Sequence, residues 1–188
     1  MTNIINSWKY LFVIPHLIVY FIMSQDKKEH VLDDVSEMNR RCGLHKKLTY
    51  YLVNRKPYRN LFYYRVGRVS KFLKLFLPRY SFFYIGGIDY FGGAAFVLNH
   101  PYGTIINAKK IGRNFTICQL TTVGNKEHGR NDLIPTIGDN VSLGANVSII
   151  GGITIGNNVI VGAGSVVVKN VPDNCVVAGN PAKVIKYL

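Results

Sequence analysis

The most regular stretch of the chain, residues 137–168, places a bulky aliphatic residue at every sixth position. A helix repeats its apolar face every three to four residues and a strand every two, so this period indicates a chain that turns a corner after each short strand. Three such units complete one turn of a triangular solenoid whose aliphatic side chains stack inward. The aliphatic positions are Ile137, Leu143, Ile149, Ile155, Val161 and Val167.

The six-residue period predicts a mainly β fold, a left-handed parallel β-helix, and it continues upstream in a shifted phase at Ile105, Ile111, Ile117 and Val123. The pattern breaks at Gly124. Fourteen residues separate Val123 from Ile137, two more than two complete units require, so residues 125–135 are expected to leave the wall as a loop. A charged loop on a rigid solenoid is a common place for functional groups, and a tolerated surface insertion is the alternative.

The first half of the chain has a different pattern and predicts a small helical region, residues 1–84, ahead of the β-helix of residues 85–188. The apolar run of residues 8–23 is too short to span a membrane and no cleavage site follows it, so we expect a buried or interfacial helix rather than a transmembrane or signal segment. Residues 26–41 are expected to form a solvated helix. At the other end, residues 172–188 are expected to cap the solenoid as a closing strand or a short helix.

Net charge changes the picture of the helical region. The chain carries a formal charge of +13, and residues 46–80 contain ten Lys or Arg, nine aromatic residues and no Asp or Glu. Such a segment attracts anionic surfaces. At helical spacing it would bury Leu61, Tyr64, Val69, Phe72 and Phe76 and leave Arg65, Arg68, Lys71 and Lys74 in solvent. Packing against the solenoid or a partner subunit, and contact with a membrane surface, both fit this pattern, whereas no nucleic-acid-binding motif accompanies the charge.

Metal and disulfide chemistry are not indicated. The three cysteines are odd in number and form no C-x-x-C pair, which favours a reducing cytoplasm. The solenoid half contains two histidines, His100 and His128, too few for a three-histidine metal site. His100, with Asp89 eleven residues upstream, is the candidate for catalysis, because a histidine oriented by a carboxylate is a competent general base near neutral pH.

These residues carry a resemblance to a known family. Asn99 and His100, the fourteen-residue loop spacing and the tail GAGSVVVKNVPDNCVVAGNPAKV of residues 162–184 resemble the serine acetyltransferase branch of the hexapeptide-repeat acyltransferases. The resemblance covers residues 85–188. It implies a homotrimer that binds acetyl-CoA in a groove between adjacent solenoids. It also implies that His100 deprotonates an acceptor hydroxyl, with Asp89 as its partner, and that acetyl-CoA contacts Asn125, Ala145, Ala163 and Lys183.

The sequence also departs from that branch at the acceptor end. Serine acetyltransferases carry Asp before the catalytic histidine and Arg-His before the loop proline, where this chain has Asn99, Leu133 and Ile134. Ionic recognition of an amino acid requires paired charges, so these neutral residues favour another acceptor. In this respect the chain resembles relatives from capsule and exopolysaccharide clusters, which acetylate sugar hydroxyls.

Three interpretations follow from the sequence. The first is an acetyl-CoA-dependent O-acetyltransferase of polysaccharide biosynthesis, cytoplasmic or peripheral at the inner face of the membrane. The second is a serine O-acetyltransferase of cysteine biosynthesis. The third is a non-catalytic structural solenoid, since a fold does not determine a function.

Overall fold

The computed structural model describes residues 10–36, 44–92, 97–127, 130 and 132–188. The chain forms two compact units that divide between Ser81 and Phe82.

The first unit is helical. Its helices are α1 Ile14–Ile22, α2 Gln25–Ser36, α3 Leu44–Asn54, α4 Lys56–Val66 and α5 Ser70–Leu73, with a 3-10 turn over Gly67–Val69. Pro15 lies in the first turn of α1, where a missing backbone N–H costs nothing. The helix predicted over residues 26–41 begins at Gln25, and its residues after Ser36 lie outside the described part of the chain.

The basic segment does not form the single amphipathic stripe that its spacing predicts. Leu61 is buried as expected, but Val69 and Phe72 are exposed. The reason is Gly67, whose φ of 67° ends α4 and resets the helical phase before α5. Arg65, predicted to lie in solvent, is buried and pairs with Asp34 at 3.1 Å.

Buried polar groups connect the helices of this unit. The Arg59 guanidinium donates to the carbonyls of Leu52, Val53 and Pro78 at 2.7, 3.0 and 2.7 Å. His16 Nε2 lies 2.8 Å from the Tyr63 hydroxyl, which in turn donates to the Leu77 carbonyl. Burial, and secondly the nearby charge of Arg59, lower the pKa of His16 to about 4, so the imidazole is neutral at physiological pH.

Helix α1 has an exposed apolar face. Ile14, Ile18, Phe21 and Ile22 are exposed at the spacing of one helix face, while His16 and Tyr20 on the opposite face are buried. No charged residue occurs between Tyr10 and Ser24. Among the described helices, none has the length and apolarity needed to cross a membrane.

The second unit is a left-handed parallel β-helix, as the six-residue period predicts. The strands are β1 Phe83–Gly86, β2 Tyr90–Phe91, β3 Val97–Asn99, β4 Thr104–Asn107, β5 Lys110–Ile111, β6 Thr116–Cys118, β7 Thr122–Gly124, β8 Thr136–Ile137, β9 Ser142–Leu143, β10 Ser148–Ile150, β11 Thr154–Ile155, β12 Val159–Val161, β13 Val166–Val167, β14 Cys175–Gly179 and β15 Ala182–Tyr187.

These strands form three parallel sheets that make the faces of a triangular prism. Sheet A is β1-β4-β7-β10-β13, sheet B is β2-β5-β8-β11, and sheet C is β3-β6-β9-β12-β14-β15. The chain visits A, B and C in turn, so the prism has an A–B edge, a B–C edge and a C–A edge. Strand β15 folds back antiparallel on β14, and its outward residues close the end of sheet C.

Each face contributes one inward column of aliphatic side chains. In sheet A the column contains Ile106, Val123, Ile149 and Val167, all buried. The predicted column assigned this place to Ile105, which is instead 47% exposed. The prediction was wrong by one residue because the step from Ile106 to Ile111 is five residues and not six.

The B–C edge is held by a ladder of asparagines. Asn114, Asn140, Asn158 and Asn174 have φ values of 54° to 56°, the left-handed region that asparagine tolerates better than other non-glycine residues. Each side-chain amide donates to the Oδ1 of the next asparagine, at 2.8, 2.8 and 2.7 Å. The same residues therefore turn the corner and connect the coils.

We expect Asn140→Ala to lower the free energy of unfolding by roughly 2–4 kcal/mol, because it removes two ladder hydrogen bonds and places in the left-handed region a residue that tolerates it less well than asparagine. Denaturant titration at one fixed protein concentration measures this loss. The control is Asn140→Gly, which also breaks the ladder but keeps the backbone unstrained, and it should cost less. Equal losses for the two variants would show that the left-handed conformation is not under strain.

Candidate functional site

One edge of the prism, the C–A edge, brings several of the predicted site residues into a single column. Asn99 pairs with Cys118 across β3 and β6, which places His100 beside Gln119. The Asn146 N–H donates to the Gln119 carbonyl at 2.9 Å, and the Gly164 N–H donates to the Ala145 carbonyl at 2.8 Å. In consequence His100, Ala145 and Ala163 lie on the same edge, with the coil of Gln119 and Leu120 between His100 and Ala145.

His100 is at a widened corner of this edge. Its φ is 50°, an uncommon value for a residue that is neither glycine nor asparagine, and strained backbone of this kind concentrates at functional sites. The Tyr102 N–H donates to the His100 carbonyl at 2.6 Å, and the Leu120 N–H donates to the Tyr102 carbonyl at 2.8 Å. The backbone is thus fixed from both sides while the imidazole is exposed to solvent.

Small residues line the C–A edge on the later coils, beyond the coil of Gln119 and the exposed Leu120. A Cβ at Gly144 would lie 2.7 Å from the Ala163 backbone nitrogen, so the coils approach too closely for a side chain there. Ala145 is half-buried and Ala163 is exposed. A strip without large side chains can accept the extended arm of a cofactor against the backbone.

Asp89 lies at a different edge. It comes directly before β2, at the A–B edge, where its N–H donates to the Lys109 carbonyl at 3.0 Å. The width of sheet A separates this edge from the C–A edge that carries His100. Both residues are described, and no hydrogen bond joins their side chains. The fold of one chain therefore does not bring together the histidine and the carboxylate that the sequence paired.

The predicted loop leaves the wall at the A–B edge too, between β7 and β8. Its described residues are braced internally. Arg130 donates to both carboxylate oxygens of Asp132 at 2.8 and 2.7 Å, and this hydrogen bonding lowers the pKa of Asp132 to about 2. The Asn125 side chain donates to the Glu127 carbonyl, so its amide supports the loop backbone. His128 lies outside the described residues.

The two hydrophobic residues predicted to face the acceptor have different positions. Leu133 is half-buried, with its Cα packed toward Gly152. Ile134 is only 7% exposed, and it precedes Pro135 in the same corner register as the buried Ile88 and Ala108. The side chain of Ile134 therefore lies in the interior of the prism, and its contact with the acceptor stays a prediction.

The remaining predicted residues lie at the surface. Asn99 is exposed at the end of β3, next to His100. Lys183 is exposed on β15 and pairs with Ala178 in the last strands of sheet C. Within the described residues, no group of three or more His, Cys, Asp or Glu is arranged to hold a metal ion.

The C–A edge also carries aromatic residues that sequence reasoning missed. The rings of Phe82 and Tyr102 are stacked with centroids 5.0 Å apart and planes inclined by 29°. Twenty residues separate them, and only the coil register brings them together. The position of both rings relative to the six-residue repeat could have predicted this pair. The one-residue error at Ile105 shifted the predicted repeat at that point, so the pair was missed.

Comparisons with known proteins agree with this geometry. Residues 134–169 match the family described as bacterial transferase hexapeptide (six repeats). A candidate colanic acid biosynthesis acetyltransferase, WcaB of Escherichia coli (strain K12), is 50% identical over 93 residues, which are 49% of this chain and 57% of that protein. Serine acetyltransferase 2 of Arabidopsis thaliana is 39% identical over 51% of this chain and 30% of its own length. The chain thus spans little more than half the length of the first of these relatives, and less of the second.

Among solved structures, the crystal structure of Neisseria gonorrhoeae serine acetyltransferase superposes with a TM-score of 0.71 at 26% identity, covering 90% of this chain and 70% of that one. A second structure of the same enzyme, in complex with serine, gives a TM-score of 0.63 at 29% identity, covering 89% and 72% of the two chains. Sequence and structure together confirm the resemblance to the hexapeptide-repeat acyltransferases of the serine acetyltransferase type.

Proposed function

We propose that this protein transfers the acetyl group of acetyl-CoA to a hydroxyl of a sugar, with His100 as the general base. One observation supports the proposal most directly: His100 and the small residues Ala145 and Ala163 share the C–A edge, with the coil of Leu120 between them, so a cofactor arm laid along the alanines would run along this edge towards the imidazole. The names of the matched relatives, acetyltransferases all, support the reaction class.

The reaction needs little beyond a base and two aligned substrates. The imidazole of His100 removes the acceptor hydroxyl proton as the oxygen attacks the thioester carbonyl. The tetrahedral intermediate then collapses, the C–S bond breaks, and the imidazolium returns the proton to the CoA sulfur. The products are an acetyl ester and free CoA, and the protein is unchanged. Lys183, a cation on the last strand of sheet C, would meet the CoA phosphates, and Asn125 would lie beside the arm.

The acceptor end of the proposed site is neutral. Asn99 beside His100 and Leu133 in the loop carry no charge. The Arg130 guanidinium is already paired with the Asp132 carboxylate within the loop. Neutral hydrogen bonds and apolar contact suit one face of a sugar ring better than the two charges of an amino acid.

The distribution of these groups over two edges supports a homotrimer. His100, Ala145 and Ala163 are on the C–A edge, whereas Asp89, Asn125 and Leu133 are on the A–B edge or its loop. A threefold axis parallel to the solenoid keeps equivalent coils at equal height. It would bring the C–A edge of one subunit to the A–B edge of the next, so that Asp89 of the neighbour could orient His100.

Serine is the second candidate acceptor, because one matched structure is a serine acetyltransferase in complex with serine. An assay of free CoA thiol release with acetyl-CoA separates the candidates when serine, sugar nucleotides and oligosaccharides are offered in parallel. Serine turnover above that of every saccharide would favour the serine reaction. If no acceptor supports turnover, the fold serves as a non-catalytic module.

The helical unit is proposed to contact the inner, anionic face of a cytoplasmic membrane. The exposed apolar face of α1 needs a cover, and the exposed cations Arg68, Lys71 and Arg79 favour an anionic one. A second copy of the same unit would bring like charges together, because residues 46–80 contain no Asp or Glu.

His100→Ala should lower kcat by about 10²–10⁴-fold and leave the affinity for acetyl-CoA unchanged, because the variant loses only the base. Steady-state thiol release and a separate acetyl-CoA binding titration measure the two quantities. His128→Ala serves as the control and should retain most of the activity. Full turnover by the His100 variant would exclude the mechanism.

Mixed trimers should test whether the site lies between subunits. We expect His100→Ala chains, co-expressed with chains in which two glycines replace residues 126–133, to recover about one quarter of the wild-type sites by random assembly. Each parent alone should be inactive but trimeric by light scattering. If the mixture is no more active than its parents, each site is built within one chain.

Vesicle sedimentation tests the membrane proposal. The protein should sediment with vesicles containing phosphatidylglycerol, less so in 0.5 M salt, and not with pure phosphatidylcholine. Ile18→Glu with Ile22→Glu should abolish binding, whereas Ile160→Glu, on sheet C, should not. Equal binding to both vesicle types would contradict the role of charge, and the absence of binding would exclude the contact.

A further inference from the structure

Leu120 holds an unfavourable backbone conformation next to the proposed base. Among the described residues, seven that are not glycine have a positive φ, and five of these are asparagines. The other two are His100, with a φ of 50°, and Leu120, with a φ of 59°. A large apolar side chain offers no local hydrogen bond to offset the left-handed conformation, so leucine is a poor residue for such a position. Backbone strain of this kind concentrates at functional sites.

The equivalent position on each neighbouring coil carries a residue that tolerates this conformation. Every C–A corner has one left-handed residue in the same register, because the N–H of each later one donates to the carbonyl just before its equivalent in the preceding coil. These residues are Gly103, Leu120, Asn146 and Gly164, with φ values of 62°, 59°, 56° and 71°. Glycine and asparagine occupy left-handed positions at little cost. The fold of the corner therefore does not require a leucine here.

The Leu120 side chain leans toward the coil that carries His100. A Cβ built on Gly103 would lie 2.9 Å from Leu120 Cδ2, so the tip of the leucine rests against the backbone of that glycine. Gly103 follows His100 in the same corner. The leucine side chain is nevertheless 50% exposed. Leu120 thus presents an apolar surface to solvent beside the corner of the base.

The order of coils along the C–A edge determines what this side chain can contact. His100 lies on the coil before Leu120, and Ala145 and Ala163 lie on the two coils after it. If the arm of acetyl-CoA follows the alanines toward the imidazole, as the proposed function requires, its reactive end crosses the coil of Leu120. That end consists of the thioester and the acyl chain, and the acyl chain is its apolar part.

We propose that Leu120 contacts the acyl group of the donor and restricts the reaction to acetyl transfer. This inference rests on the proposed acetyl transfer and names the residue that selects the donor. The methyl of an acetyl group gains apolar contact with the leucine side chain. Each further methylene of a longer acyl chain would have to occupy space that the leucine Cδ atoms already fill.

Donor kinetics test the role of Leu120. The measurement is kcat/KM for acetyl-CoA, propionyl-CoA and butyryl-CoA, followed as thiol release with the acceptor that the wild type uses best. The wild type should prefer acetyl-CoA to propionyl-CoA by about 10-fold or more. Leu120→Gly keeps the left-handed backbone and opens the space, so it should raise the ratio of propionyl-CoA to acetyl-CoA kcat/KM by about 10-fold to 100-fold.

Leu120→Asn is the matched control. Asparagine has as many side-chain heavy atoms as leucine, and it already holds the equivalent left-handed position at Asn146. The variant therefore relieves the backbone without opening the space, and it should keep the wild-type preference for acetyl-CoA. Ile160→Ala removes another exposed aliphatic side chain, in the middle of β12, and should leave all kinetic constants unchanged.

The outcomes separate the role of Leu120 from the proposed function. Transfer from acetyl-CoA by the wild type, with an unchanged donor ratio in Leu120→Gly, would overturn the role of Leu120 and leave the acetyl transfer intact. An equal rise of that ratio in Leu120→Asn would also overturn it, because relief of the backbone would then be the cause. Loss of the wild-type oligomer in Leu120→Gly by light scattering would overturn it as well, since the leucine would then be a subunit contact. If the wild type transfers acetyl to no acceptor offered, the proposed function and the donor selection fail together.

Discussion

The stacking of coils in register is the constraint on which the β-helix depends. Parallel pairing places each residue over its equivalent in the coil below, so Ile106, Val123 and Ile149 meet inside while their neighbours face out. The corners must repeat at equal height for this to hold. The asparagine ladder satisfies that requirement at the B–C edge, where the turn conformation and the connection between coils come from the same side chains. Residues can be inserted into the repeat only at corners where the strands on both sides keep their register.

Two such departures create the candidate site. At the C–A edge the corner that contains His100 holds extra residues, and at the A–B edge the loop interrupts the wall between β7 and β8. Because the core fixes the coils, these two insertions can project functional groups without disturbing the packing, which is the separation of scaffold and function expected of repeat proteins. Their location on different edges means that one chain holds only part of the proposed site.

The sequence predicted what periodicity encodes and missed what depends on register. The six-residue period identified the fold and most of the inward residues of sheets B and C, because these are bulky aliphatic residues at constant spacing: Ile111, Ile117, Ile137, Leu143, Ile155 and Val161. It failed at Ile105 and Ile106, two adjacent isoleucines that spacing cannot tell apart once a corner widens. Ile134 was assigned to the acceptor by alignment with a polar family position, although an isoleucine before the loop proline is better placed in the core. The helical stripe failed at Gly67, where one backbone angle changes the phase of all following residues.

The neutral acceptor end limits which interactions can give the proposed site its specificity. A site that binds an amino acid obtains its specificity from charged groups. These groups stabilise the complex only when they are both desolvated and paired. This chain offers Asn99 and Leu133 at two of those positions, and the third, Ile134, has moved into the core. Specificity must then come from shape, neutral hydrogen bonds and apolar area. The loss of these ionic contacts therefore favours an uncharged acceptor, in agreement with the proposed transfer to a sugar hydroxyl.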